Sequence, residues 1–295
     1  MEEENIKKPE KRVLTYDKNL WKEVFSTPVN TLQLFITNKC NLKCRGCFYS
    51  HKIGSDEISL EKYKDLVEEY KDQIQKIILL GGEPTLHPDL EEMLNFNQKN
   101  EIKTTIYTNG LKLSRLNNFD LTNVQLRIGV YGSTSSEKPI SKIEKTKQEV
   151  TIVYMLRKDN LSELIETAKI AENDFNCKGF YISSIKDIAK TNNFWIDTPE
   201  TISPEEYFEV VQKFVDNYRG KILVLHISNR GIIKTEDSNK TYSCRFGNIF
   251  PDGEKIICPF DISRKITTDN LIFNKRYCNK DNSCLLQKTV LKRRL

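Results

Sequence analysis

Eight cysteines are distributed through this 295-residue sequence in a pattern that could do chemistry. Cys40, Cys44 and Cys47 fall close together beside Lys43 and Arg45; Cys244, Cys258, Cys278 and Cys284 follow beyond position 240; Cys177 stands alone. Three thiolates on one short loop can each bind a corner of an iron–sulfur cubane, and the missing fourth protein ligand leaves one iron open to a cofactor or substrate. Zinc held by the same three thiolates and His51 is the competing reading, and it leaves the turn Gly81-Gly82-Glu83-Pro84 without a role. Buried structural cysteines are the third reading, one that explains three thiols in a polar loop poorly.

The surrounding sequence must then supply a scaffold. From Thr31 onward, short β-branched runs alternate with stretches of helical period, as repeated βα units around a parallel sheet require. Strands are expected at Thr31 to Thr37, Lys76 to Leu80, Ile102 to Thr108, Val124 to Tyr131, Val150 to Leu156, Phe180 to Ile185 and Ile222 to Ile227. Leu60, Tyr63, Leu66, Val67, Tyr70 and Ile74 mark one amphipathic helix, Leu161, Leu164, Ile165, Ala168 and Ala171 another, and Tyr207, Val210, Val211, Phe214 and Tyr218 a third, opened by Ser203, Pro204 and Glu206. Pro88 fits the first turn of a further helix. The fold class is α/β, a partial six-unit (β/α) TIM-like barrel open at the side, with a small cysteine-rich C-terminal module. The expected division is an N-terminal extension over 1–30, the barrel over 31–230 and the module over 231–295.

Composition narrows the partners. At 38% hydrophobic residues the chain can bury a real core, and a net charge of +5 is too mild to announce nucleic acid. The Glu- and Lys-rich start from Met1 to Arg12 is neither signal peptide nor anchor, and no apolar run approaches a membrane span. Cysteine-rich without a secretion signal, the chain is expected in the reducing cytoplasm.

The C-x-x-x-C-x-x-C loop after the first strand, followed by Gly81-Gly82-Glu83-Pro84 after the second, resembles the radical S-adenosylmethionine (SAM) superfamily. The resemblance implies that Cys40, Cys44 and Cys47 hold a [4Fe-4S] cluster whose fourth iron binds the amino and carboxylate groups of SAM. It further implies that Gly81 to Pro84 meet the methionine amino group through backbone atoms. Asn109 and Asn160, at strand ends on the same rim, are placed either for cofactor contacts or simply as turn residues. Gly46 stands where the family often has an aromatic, with Phe48 nearby. Gly129 and Tyr131 replace the Ser and Asp that many relatives carry, so ribose recognition does not transfer there.

The tail is similar to the twitch module, the shortened SPASM extension. Cys244 and Cys258 flank a hairpin-like turn at Pro251-Asp252-Gly253, and with Cys278 and Cys284 they would complete a four-thiolate site for an auxiliary [4Fe-4S] cluster or structural zinc. The family implies reductive cleavage of SAM to a 5′-deoxyadenosyl radical, with an electron from a flavodoxin- or ferredoxin-type donor. The expected outcome is oxidation or cross-linking of a ribosomally made peptide. Dehydrogenation of a small metabolite and peptide epimerisation are the other enzymatic readings, and a non-catalytic metal-stabilised binding protein is the reading outside that class. Cys177, at the barrel bottom, is expected to be structural. His51, His87 and His226 show no paired metal spacing, and Phe194, Trp195 and Tyr181 fit a cleft wall or ordinary packing alike.

Overall fold

The structure is a computed structural model that describes residues 30–45, 47, 49–184, 202, 204–226 and 246–256. Cys244, Cys258, Cys278, Cys284, Gly46, Phe48, Phe194 and Trp195 lie outside the described residues, as do the chain start and the basic end. Seven parallel strands follow in chain order: β1 (Thr31–Thr37), β2 (Lys76–Gly81), β3 (Lys103–Thr108), β4 (Val124–Val130), β5 (Val150–Leu156), β6 (Cys177–Ser184) and β7 (Leu223–His226). β8 (Phe246–Ile249) pairs parallel to the free side of β1, and β9 (Lys255–Ile256) runs antiparallel to β8. Among the described residues the sheet order is therefore β7-β6-β5-β4-β3-β2-β1-β8-β9, a partial barrel.

Among the described residues four α-helices, α1 (Leu60–Tyr70), α2 (Leu90–Lys99), α3 (Leu164–Asp174) and α4 (Pro204–Asn217), pack their apolar stripes on one side of the sheet. Leu66, Val67, Met93, Leu94, Ala168, Val211 and Phe214 form one cluster with Leu34, Leu79, Ile106, Leu126, Ile152 and Phe180 of the strands. The alternate strand residues point the other way and are less sealed. On β5, Ile152, Tyr154 and Leu156 are buried while Val153 and Met155 between them are half-buried. A period of two that separates a closed face from a half-open one is what a barrel with an accessible interior requires.

Several element ends move from expectation: α1 stops at Tyr70, short of Ile74, α4 stops at Asn217, short of Tyr218, and most strand ends shift by about one residue. Pro88 precedes α2 rather than entering it: the His87 ring accepts the Asp89 N–H at 3.1 Å, and the helix starts at Leu90. Leu161 lies in a 3-10 turn over Lys158–Glu163 that leads into α3. Cys177 opens β6 instead of preceding it, which still leaves it at the N-terminal end of the strands.

Candidate active site

β1 ends at Thr37, and the chain then makes the excursion that carries Cys40, Cys44 and Cys47 before pairing again with the same strand end through Gly54 to Ile58. Asn38 N–H donates to Asp56 O at 2.7 Å, and Tyr49 closes the loop from inside by donating to Asn38 Oδ1 at 2.6 Å. The Tyr49 ring stacks on Phe35 of β1 at 4.9 Å, and Phe35 stacks on Phe250 at 4.7 Å. This aromatic cluster, with Leu80 and Cys47 against it, lies apart from the helix-facing core and forms a floor under the loop.

The glycine turn mounts the loop from the other side. Gly82 N–H donates to Thr37 O, and Glu83 N–H to Lys39 O, both at 2.8 Å. A Cβ on Gly81 would come within 2.3 Å of Thr37 O, and one on Gly82 within 2.1 Å of Lys39 O. Only glycine lets the end of β2 dock on the backbone immediately before Cys40, and φ of +145° at Gly81 adds a second reason.

Glu83 is buried and fully bonded within the protein. One carboxylate oxygen accepts Thr85 N–H at 3.1 Å, Thr85 Oγ1 at 2.7 Å and Thr108 Oγ1 at 2.6 Å; the other accepts Asn109 N–H at 2.7 Å. It thus caps the turn at Pro84–Leu86 and ties β2 to β3. Asn109 extends the tie by donating from Nδ2 to Asn41 Oδ1, inside the cysteine loop, at 2.8 Å. Gly81, Gly82, Glu83, Pro84 and Asn109 are therefore brought together with the three cysteines. Asn160 is turned into the seam between β4 and β5: its Oδ1 accepts Arg157 N–H at 2.8 Å and its Nδ2 donates to Tyr131 O and Met155 O.

The three thiols are half-buried, free of disulfides, and within one another's electrostatic reach. Burial is the main force raising Cys40, and it pushes Cys44 up to about 11, with the neighbouring thiols adding to both and the Lys138 ammonium opposing. Among the described residues no three His, Cys, Asp or Glu side chains converge on a point that would hold a single metal ion. His87, by contrast, is buried, hydrogen-bonded from Nε2 to Ile58 O at 2.9 Å and pushed down by burial, so it is a neutral structural imidazole.

A charge network unannounced by any motif joins the loop to the far rim. Arg45 donates from Nε to Glu137 at 2.7 Å and from Nη2 to Asp159 at 3.1 Å. The same two carboxylates receive Arg157, whose buried guanidinium lies 2.9 Å from Glu137 and also pairs with Asp159. Burial works against ionisation of Glu137, but the hydrogen bonds from Arg45 and Arg157 outweigh it and hold its carboxyl below the ordinary range. The cysteine loop is thereby fastened across the barrel mouth to β4 and β5.

The radical SAM superfamily description matches residues 34–182, just over half of the chain, and includes the cysteine loop, the glycine turn and the charge network just described. The chain belongs to the radical SAM superfamily. Membership implies a [4Fe-4S] cluster and SAM. A probable GTP 3′,8-cyclase of Archaeoglobus fulgidus is 36% identical over 100 residues, 32% of each chain. An S-adenosylmethionine-dependent nucleotide dehydratase of Selenomonas ruminantium is 33% identical over 81 residues, 27% of this chain and 29% of the relative. These matches span about a third of the length of each relative. SuiB of Streptococcus suis, solved bound to the precursor peptide SuiA, shares the fold with a TM-score of 0.62 and 16% identity, over 83% of this chain and 63% of SuiB. Among the described residues no helix is long and apolar enough to cross a membrane.

Proposed function

We propose that this radical SAM protein cleaves SAM reductively at a cluster held by Cys40, Cys44 and Cys47 and applies the resulting radical to the oxidative modification or cross-linking of a ribosomally made peptide. The carrying observation is the mounting of three interacting thiols on a loop fixed by Gly81, Gly82, Tyr49 and Arg45 at the C-terminal ends of the strands. When bound, the cluster and SAM supply a 5′-deoxyadenosyl radical that removes a hydrogen atom from the substrate. The chain's own work is to hold the thiols, to fix the strand-end backbone from Gly81 to Pro84 and Asn109 beside the cofactor, and to keep the reacting groups apart from bulk water. Asn160, whose amide is engaged within the rim, shapes the site through Arg157 and Tyr131.

The division into a barrel over 31–230 and an auxiliary module over 231–295 belongs to the same proposal. The β8–β9 hairpin begins two residues after Cys244 and ends two residues before Cys258, an arrangement that supports a shared site for these cysteines with Cys278 and Cys284. A second cluster there would accept the electron left on an oxidised substrate. The open sheet supports an elongated substrate, and the solved complex of SuiB with its precursor peptide supports a peptide. A small metabolite is the second reading, favoured by the named activities of the cyclase and the nucleotide dehydratase. A flavodoxin- or ferredoxin-type donor and a cytoplasmic setting complete the proposal.

The test is anaerobic. Reconstituted, reduced protein is expected to convert SAM to methionine and 5′-deoxyadenosine, and a peptide added from a reading frame beside the gene is expected to lose mass in multiples of two hydrogens. Protein with intact clusters that leaves SAM uncleaved would defeat the catalytic reading.

A further inference from the structure

One ammonium at the barrel mouth forms no direct ion pair with a carboxylate among the described residues. Lys138 lies in the irregular segment after β4, and its side chain turns inward over that strand. A methyl group on Gly129 would sit 3.6 Å from Lys138 Nζ, ordinary contact distance, so the ammonium packs directly over the bare backbone of that strand residue. The ammonium lies over the Tyr131 ring, 5.4 Å from its centroid. It makes no hydrogen bond or ion pair to a described carboxylate, while Glu137 beside it is held by Arg45 and Arg157.

The mounting is rigid. Tyr131 N–H donates to Lys138 O at 2.9 Å, and Ile140 N–H to Gly132 O at 2.8 Å, which folds the segment back on the end of β4. Glu163 grips its outer turn, accepting Ser133 Oγ at 2.9 Å and Thr134 N–H at 2.6 Å. Burial disfavours the charge on Lys138, but Tyr131, Cys44, Glu83 and Cys47 favour it and prevail, so the side chain stays an ammonium. Lys138 in turn acts on both Cys40 and Cys44. Arg45, the residue after Cys44, reaches Glu137, the residue before Lys138, at 2.7 Å, so this positive charge is mounted at the same mouth as the cysteine loop.

We propose that Lys138 is a built-in counter-charge for the cluster held by Cys40, Cys44 and Cys47, raising its reduction potential so that a one-electron donor can reduce it. The inference rests on the proposed cluster. Reduction passes one electron from the flavodoxin- or ferredoxin-type donor to the cluster and adds one negative charge there without a proton, so a neighbouring cation stabilises the reduced form more than the oxidised one. Lys138 is a positioning residue in this role, because it acts through the field at the irons and forms no bond in the reaction.

The experiment is an EPR-monitored redox titration of full-length, reconstituted protein without SAM, comparing wild type with K138M, K138Q and K138R. The signal of the open-iron cluster is assigned by its change when SAM is added afterwards. In K138M and K138Q the ratio of reduced to oxidised cluster at a fixed potential is expected to fall by on the order of tenfold, a shift of about 59 mV for a one-electron couple. K138R, which keeps the charge, is expected to stay within about twofold of wild type. An unchanged midpoint in K138M and K138Q overturns the inference, including the case in which those variants bind SAM more weakly and the lysine serves the cofactor alone. A midpoint that moves equally in K138R overturns it too, since the effect is then one of shape. Wild-type protein that takes up no iron sinks the cluster itself, a failure told apart from the others by its iron content.

Discussion

At the C-terminal ends of the strands, Cys40, Cys44 and Cys47 share a loop clamped by backbone contacts, aromatic stacking and ion pairs, and face the Lys138 ammonium. At the N-terminal ends, Cys177 opens β6, its thiol donates to Gly179 O at 3.3 Å, and burial pushes its pKa up to about 11. Burial is also the main force raising Cys44, to about the same level, so burial is not what separates the two ends. They differ in company. Three thiols that feel one another and a cation can share a multinuclear centre, whereas the Cys177 thiol bonds within its own strand.

The sharpest way to break this contrast is to remove one member of the upper set. C44S is expected to keep the fold and lose the share of iron and of iron–sulfur absorbance that belongs to the SAM-binding cluster. SAM cleavage should fall by roughly a thousandfold, about 4 kcal/mol of activation free energy. Iron retained at wild-type stoichiometry in C44S would mean that the loop thiols are not the ligands. The next largest effect is expected from G82A, because its Cβ would meet backbone, Lys39 O at 2.1 Å and Lys39 C at 2.6 Å, and backbone cannot swing aside. A loss of about 2–4 kcal/mol in stability together with poor iron uptake is expected. The control is G129A, where the nearest atom is Lys138 Nζ at an ordinary 3.6 Å and the melting curve should hardly move. Equal losses in the two variants would show that close backbone approach is not what the glycine turn provides.

The difference between the ends also marks what the sequence could reveal. Short β-branched runs placed β1 and β5 residue for residue, because side chains of that kind fit the pleated surface of a strand. The cysteine loop and glycine turn were legible as local spacings. Glu83 binding to Thr108 and Asn109 across strands, Arg45 reaching Glu137, and Lys138 filling the space above Gly129 were not, since each joins residues that only the sheet order brings together. Nor did any local signal announce that β8 would pair with β1, because parallel pairing leaves no mark on adjacent residues. Asn160 read as a rim residue from its place after β5, but whether its amide faced the cofactor or the backbone depended on the path of the following turn.

The lower end carries its own test in Lys76, buried at the start of β2 and driven down to about 7, first by burial and then by Arg127 and Lys103. A lysine whose folded pKa is depressed binds fewer protons folded than unfolded, so its contribution to stability rises with pH from about 7 to its ordinary value of 10.5. K76M removes that slope. The variant is expected to be more stable than wild type at pH 6, by on the order of 1–2 kcal/mol, with the gap closing towards pH 10. Thermal melts at pH 6 and 9.5 decide it. A difference that stays constant with pH would mean that the lysine is held charged throughout, and the lower end would then resemble the upper one electrostatically.

The smallest effect is expected from C177A. The thiol is half-buried, its hydrogen bond to Gly179 O is weak, and alanine fits a strand start, so the loss of stability should stay within about 1 kcal/mol. Both 5′-deoxyadenosine and product formation should be unchanged, because β6 runs its full length between this thiol and the rim where Cys40, Cys44 and Cys47 sit. Measuring the two products separately matters here. A thiol that returns a hydrogen atom to a substrate radical is not needed to cleave SAM, so a C177A protein that still makes 5′-deoxyadenosine yet releases no modified substrate would draw Cys177 into the chemistry. The division of labour between the two ends of the sheet would then fail, and epimerisation would replace oxidation as the reaction to pursue.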